Sequence, residues 1–355
     1  MKIGFIGLPK SGKTTLFNAL TGSSAAVSAY NTGRVGPNIA SVKVGDERVA
    51  ALSAIYRPKR TVYPTIDIVD FAGVSEGDAR SDAFSGDMMK LVRSCDAVAV
   101  VLRGFATDLQ GEPSPLKDLG TIEDELVIAD LMVAEKRLEK IEAGLKKGQA
   151  TPALRAEEKV VRLILEGLNA GRPVRDLELD AEGETLIRGF QFLTKKQVLV
   201  ILNSHESLFG RHGAVLEALA GKHRAVEFAG EFEGELGRLD DESARAFMAD
   251  MGIKESARDR LTALAYDALG YISFFTVGED EVRAWNVRRN ATAVEAAAAI
   301  HSDLARGFIA AECFRCEDLI ACGSEKAVKE NGKFLLAGRD YGVKDGDVLS
   351  IRFNV

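Results

Sequence analysis

This sequence has little cysteine, no long apolar run and no excess of positive charge, and each shortage excludes something. Four cysteines in 355 residues are too few for a disulfide framework and fit a reducing, cytoplasmic compartment. The longest apolar runs, residues 97–102 and 198–202, are strand-sized, far short of the roughly eighteen residues a membrane helix needs, so no membrane partner is expected. Met1 leads straight into the apolar segment Lys2–Ile6, so no signal peptide is expected. A net charge of -7 argues against strong non-specific binding of nucleic acid by the whole molecule, while a local basic patch stays compatible with it. No internal repeat or low-complexity tract stands out. What remains is an ordinary globular composition, 46% hydrophobic and 28% charged, in a chain long enough for two or three domains.

The most informative run is Gly7-Leu8-Pro9-Lys10-Ser11-Gly12-Lys13-Thr14. It fits the phosphate-loop pattern G-x-x-x-x-G-K-[ST] at every fixed position. An apolar strand, Lys2–Ile6, precedes it and a helix opens at residues 16–20, which is the strand–loop–helix context the motif requires. The glycines let backbone N–H groups wrap an anion at a helix N-terminus, where the helix dipole also favours negative charge. Lys13 would pair with the β- and γ-phosphates, and Thr14 would offer its hydroxyl to Mg²⁺. Lys10, Ser11, Gly12, Lys13, Thr14 and Thr15 are thus the expected phosphate-binding residues, with Lys13 in the catalytic role. A glycine-rich turn that matches by chance is the alternative, disfavoured by the context.

Strand-like runs at Lys2–Ile6, Thr65–Asp70, 96–102, 197–202 and 225–228 alternate with helical patterns, which predicts an α/β fold of βα units around a mostly parallel sheet. Residues 121–195 break this rhythm with no convincing strand and much Glu, Lys, Leu and Ala. Leu131, Ala134, Leu138, Ile141 and Leu145 are spaced 3-4-3-4, the seam of a helix that packs on another. Leu154, Val161, Leu165 and Leu168 continue the seam after a break, which predicts a helical hairpin inserted between two sheet strands. An ordinary helix covering the sheet is the alternative. Near Gly270 the character changes again. Tyr271–Thr276, 282–286 and 348–353 are strand-like, with a helix at 291–301 among them, so the last stretch reads as a small β-β-α-β-β domain. The expected division is 1–120 with 196–268 as a P-loop nucleotide-binding domain, 121–195 as the hairpin, and 270–355 as the C-terminal domain.

Two further motifs follow apolar strands. Asp70-Phe71-Ala72-Gly73 begins at the end of Thr65–Asp70; in nucleotide switches a D-x-x-G here holds Mg²⁺ through a water, and the glycine N–H senses the γ-phosphate. Asn203-Ser204-His205-Glu206 follows residues 198–202. Its Asn amide can hydrogen-bond a base, and the acid three residues on can accept from the base edge, although strand-end Asn is also a common turn former.

Together these motifs resemble the YchF subgroup of the Obg-related nucleotide-binding proteins, also called Obg-like ATPases. The family's phosphate loop, G-L-P-N-V-G-K-S-T-L-F-N-A-L-T, is close to Gly7 through Thr21. Its D-I-A-G-L is like Asp70 to Val74, and its base-reading motif ends in Glu, like Asn203 to Glu206. The most specific likeness is C-terminal: Phe274-Phe275-Thr276-Val277-Gly278-Glu279, Glu281 to Trp285, Arg306 to Ile309, Asp345-Gly346-Asp347 and Arg352 to Val355. The resemblance implies a P-loop NTPase domain, a coiled-coil hairpin inserted in it, and a C-terminal ubiquitin-like TGS domain of β-grasp fold. It also implies an ATP- and/or GTP-hydrolysing switch of low intrinsic activity, associated with ribosomes or RNA, with ATP/ADP or GTP/GDP as ligands and Mg²⁺ as cofactor. Thr14 and Asp70 would serve the metal, Gly73 the γ-phosphate, and Asn203, Ser204 and Glu206 the base. Glu206 stands where guanine-specific relatives have Asp, and the extra methylene misplaces the carboxylate for the two guanine donors. Val74 stands where Ras-like switches put a water-orienting Gln.

Three departures from the family pattern qualify this. Aligning on Pro37-Asn38 puts Arg34 where the family has a Mg²⁺-contacting Thr, and the nearest threonine is Thr32. The family's loop Asn is Lys10, whose ammonium either replaces a K⁺ beside the phosphates or points into water. The loop after the third strand, residues 103–118, holds no histidine, and Asp108 and Glu112 are the groups there that could orient a water. A nucleotide-sensing module with little intrinsic hydrolysis is accordingly the rival reading. Cys313 and Cys316 have zinc or redox spacing, but with only Cys322 nearby they read as structural. A monomer is expected.

Overall fold

The computed structural model describes residues 1–22, 37–71, 87–107, 111–250, 252–253 and 255–354. Thr32, Arg34, Gly73, Val74 and Asp108 lie outside these residues. The strands are β1 (Lys2–Ile6), β2 (Asn38–Lys43), β3 (Arg60–Val62), β4 (Thr65–Asp70), β5 (Ala97–Arg103) and β6 (Gln197–Asn203), followed by β7 (Arg224–Phe228), β8 (Tyr271–Thr276), β9 (Glu281–Arg288), β10 (Phe308–Arg315), β11 (Leu335–Ala337) and β12 (Asp347–Phe353). They form two six-stranded sheets, ordered β2-β4-β1-β5-β6-β7 and β11-β10-β12-β8-β9-β3. The chain divides into two compact units, Met1–Ser41 with Asp67–Ala257 and Val42–Ile66 with Arg258–Val355.

In the first unit β1 pairs in parallel with β4 and β5, β5 with β6, and β6 with β7. Every residue of β5 is buried, as expected for a parallel strand covered on both faces. Three strand ends therefore point the same way: the loop after β1, Asp70 at the end of β4, and Asn203 at the end of β6. Ligands of open parallel sheets bind at such carboxyl ends.

The helix Pro115–Lys146 runs for 32 residues and serves two cores. Leu119, Ile122, Leu126 and Ala129 pack with Val98, Val100, Val198 and Val200 of the sheet. Ala134 and Ile141 pack instead with Val161, Ile164 and Leu168 of the helix Pro152–Asn169, and the seam residues Leu131, Leu138, Leu145, Leu154 and Leu165 join them. The hairpin thus exists, but it is the far half of a sheet-covering helix that starts at Pro115, six residues before the expected boundary. Asp130 marks the changeover. Fully buried, it accepts from Arg93 Nη1 (2.8 Å), Leu193 N (3.0 Å), Thr194 N (2.8 Å) and Thr194 Oγ1 (2.8 Å), so the carboxylate's lone pairs are satisfied and its charge is paired.

The second unit has the β-grasp arrangement. β8 and β9 form an antiparallel hairpin, β12 lies parallel to β8, and β10 pairs antiparallel with both β12 and β11. The helix Ala293–Ile300, started by a Thr292/Glu295 capping box, covers one face through Ala293, Ala296 and Ala297. On the other face Val49 and Leu52 of the helix Glu47–Tyr56 pack against Phe275, Val282, Ala284 and Leu319. β3 completes the sheet edge, pairing Arg60 with Glu281, Thr61 with Val282 and Val62 with Arg283. Residues 42–66, expected in the nucleotide-binding domain, therefore fold with the C-terminal one, and so does most of the helix Ala257–Leu269.

Candidate nucleotide-binding site

Two glycines shape the phosphate loop by what they leave room for. A Cβ on Gly7 would stand 2.4 Å from the Val101 carbonyl oxygen, and one on Gly12 would stand 2.0 Å from Asn203 Nδ2. Gly12 also has φ of 85°, a left-handed conformation that costs other residues strain. Lys10 has φ of 63° without being glycine, and its side chain is exposed. The helix Lys13–Thr21 then begins directly under the loop.

Lys13 is buried, and its Nζ donates to the Gly7 and Leu8 carbonyls at 2.9 and 3.0 Å. Burial pushes its pKa down to about 8, with the nearby Asp70 charge opposing that shift. The ammonium is therefore held inside the loop, at the mouth of a helix N-terminus, where a polyanion would be attracted to it. Thr15, in the same first turn, is half-buried. Ser11 is 3% exposed; its carbonyl accepts from Asn203 Nδ2 at 3.0 Å, and its Oγ is buried with no hydrogen-bond partner among the described residues.

Asp70 is the acid of the site. Its Oδ2 accepts from Thr14 Oγ1 at 2.9 Å and from Asn38 Nδ2 at 3.2 Å. Its Oδ1 is buried and has no partner among the described residues. Burial raises the carboxyl's pKa, with the Thr14 and Asn38 hydrogen bonds and the Lys13 charge working against the rise. A buried carboxylate oxygen left bare is costly, and a hard cation or its water would satisfy it. Hydroxyl and carboxylate oxygens, few in number, are the protein ligands Mg²⁺ takes when phosphates and waters supply the rest. Thr14 and Asp70 thus fit the expected ion.

At the opposite end Asn203 is 4% exposed. Its Nδ2 reaches Ser11 and its Oδ1 accepts from Gly230 N at 3.0 Å, so each end of the amide keeps one further hydrogen-bonding capacity. Ser204 Oγ donates to Glu227 Oε1 at 2.5 Å. Glu206 opens a short 3₁₀ turn and is exposed. The fold thus brings together Ser11, Gly12, Lys13, Thr14, Asp70 and Asn203, with Ser204 adjoining; Lys10 and Glu206 lie exposed at the margins. Sequence reasoning missed Asn38 as an Asp70 partner and missed Gly230, His212 and Glu227 altogether. A visible signal did exist for Glu227, a carboxylate within the otherwise apolar run 225–228.

A parallel sheet with a phosphate loop after its first strand and an acid at the end of a neighbouring strand defines a P-loop NTPase. The comparisons with known proteins narrow that class. Residues 2–141 match the profile of a family described as 50S ribosome-binding GTPase, and residues 271–354 match the YchF-GTPase C-terminal family, described as a protein of unknown function. The chain is 34% identical to the ribosome-binding ATPase YchF of Bacillus subtilis, covering 99% of both chains. It is 36% identical to the protein of that name from Haemophilus influenzae, covering 100% of this chain and 99% of the relative. The structure of the Schizosaccharomyces pombe YchF GTPase superposes with a TM-score of 0.83 at 28% identity, covering 99% of this chain and 97% of that one. This chain belongs to the YchF family.

Proposed function

We propose that this chain is a Mg²⁺-dependent ATPase that acts as a nucleotide switch on the ribosome. The observation that carries the reading is the constellation of a buried Lys13 ammonium, the Thr14 hydroxyl and an Asp70 carboxylate with one bare oxygen. Backbone amides of residues 10–15 would hold the phosphates, and Lys13 would exchange its two carbonyl contacts for the β- and γ-phosphate oxygens. Mg²⁺, when bound through Thr14 and Asp70, supplies positive charge to the phosphate oxygens. The catalytic contribution of these residues is to hold the chain of phosphates in line and to offset charge as the γ-phosphoryl group is transferred. Glu206 would read the base and favour ATP over GTP. Ribosome association is supported by the names of the Bacillus and Haemophilus relatives.

Slow turnover without a partner is part of the proposal. Arg103 Nη1 donates to the Phe105 and Gly111 carbonyls at 2.8 and 2.7 Å, and Nη2 to that of Glu112 at 3.3 Å. That arginine ties Gly111 and Glu112 back to the end of β5, and the Glu112 side chain is exposed. Phosphate release from ATP and GTP in the presence of Mg²⁺, compared between wild type and Lys13→Ala, tests the reading. Release that is faster from ATP and vanishes in the variant supports it. Nucleotide binding with no release above the variant would make the chain a sensor in place of an enzyme.

A further inference from the structure

We propose that Glu227 positions the base-reading loop and thereby sets the base preference of the site, an inference that rests on the nucleotide-binding reading above. Glu227 lies in β7 and is 6% exposed. A carboxylate that deep is tolerated only with strong partners, and one short segment supplies three of them. Its Oε1 accepts from Ser204 Oγ at 2.5 Å and lies 2.7 Å from His212 Nδ1; its Oε2 accepts from Gly210 N at 3.0 Å. Ser204 and His212 bound the segment, and Glu206 falls between them. One carboxylate therefore pins the loop at its start, near its end and at its end. The Ser204 backbone N–H is tied to the same strand, donating to Phe228 O at 2.7 Å.

Asn203 is anchored by different groups, Ser11 and Gly230. The two halves of the base-reading motif thus have different anchors: the amide is held by the phosphate loop and the turn after β7, and the segment that carries Glu206 is held by Glu227. The trio Ser204, His212 and Glu227 is no hydrolase triad. Hydroxyl and carboxylate meet the same ring nitrogen, at 3.1 and 2.7 Å, so no proton path runs from serine through the ring to the acid. The arrangement holds a loop.

Glu227→Gln keeps the volume but replaces one acceptor oxygen by an NH₂ donor, which faces either the Gly210 N–H or the Ser204 and His212 donors. Releasing the loop frees Glu206 while leaving Lys13, Thr14 and Asp70 untouched. The test measures Kd for fluorescent ATP and GTP analogues and single-turnover hydrolysis on the full chain. For Glu227→Gln we expect ATP affinity to fall by about tenfold, the ATP-to-GTP affinity ratio to move at least threefold toward unity, and the single-turnover rate at saturation to stay within about twofold. A folded variant with unchanged affinity and ratio overturns the proposal. So does a loss confined to the rate, which would put Glu227 in the chemical step. If Glu227→Gln does not fold, His212→Ala, which removes one partner of the carboxylate, takes its place; an unaltered ratio there overturns the proposal equally. Failure of wild type to bind either nucleotide defeats the functional reading itself, whereas binding that ignores Glu227 defeats only this inference.

Discussion

The phosphate loop of the candidate site is made by neighbours in sequence, and the surroundings of Asn203 by residues far apart. Between Gly7 and Thr14 the loop supplies the carbonyls that receive Lys13 and the left-handed turn at Gly12. Around Asn203 the contacts span 192 residues to Ser11 and 27 to Gly230, and Ser204 reaches 23 residues on to Glu227. The first end is backbone geometry that a short motif can specify. The second is a set of side-chain hydrogen bonds that only the folded sheet assembles, and Asn203 ties it back to the loop at Ser11.

Substitutions at the two ends should separate accordingly. Lys13→Ala has the largest expected effect, a loss of at least about a hundredfold in hydrolysis, because it would remove the charge that the proposed mechanism aims at the transferred phosphoryl group; steady-state phosphate release measures it. Gly12→Ala comes next. Its Cβ would sit 2.0 Å from Asn203 Nδ2 at a φ of 85°, so a destabilisation of about 1–3 kcal/mol is expected in denaturant unfolding. Gly230→Ala approaches the same amide from the other side at 2.8 Å and should cost less. Equal costs would mean that closeness to the amide does not set the penalty.

Lys13 also gives a pH signature confined to the phosphate end. Its folded pKa of about 8 lies below the ordinary lysine value of 10.5, so the folded, nucleotide-free protein carries an electrostatic penalty at and below pH 8. That penalty is relieved as pH rises, and nucleotide-free stability should gain between about pH 8 and pH 10.5 relative to Lys13→Met. ATP affinity should weaken over the same range as the ammonium is lost; thermal unfolding and nucleotide titration at stepped pH check both. The smallest effect belongs to Lys10. Asn tolerates left-handed backbone better than Lys, so Lys10→Asn should stabilise by up to about 1 kcal/mol. Should Lys10 stand in for a monovalent cation, that variant would also acquire a K⁺-over-Na⁺ rate difference that wild type lacks.

The same contrast explains what could be read from the sequence. β1, β4, the phosphate loop and the hairpin seam are local patterns, and the structure has them where the periodicity puts them. β10 escaped notice because Phe308–Arg315 carries two alanines and a glutamate and becomes a strand only between β11 and β12. β3 is three residues long, and its partner β9 is more than two hundred positions away. Asp70 was legible from its strand-end position, but Asn38 was not assigned to it, since the two meet only when β2 lies beside β4. Glu227 is the clearest failure. A lone buried acid in a strand announces that it needs partners, but sequence spacing does not say which.

The placement of residues 42–66 has a consequence for synthesis. Val49 and Leu52 are made early, yet the strands that cover them, β8 and β9, begin at Tyr271. At about 5–20 residues per second the apolar side of the helix Glu47–Tyr56 waits on the order of ten to forty seconds for its cover. During that interval the nascent chain exposes an unpaired hydrophobic stripe, and a cut that removes everything after Ala257 would make the exposure permanent. A fragment ending there should bind trigger-factor-like holdases or aggregate, while the full chain outlives its own delay.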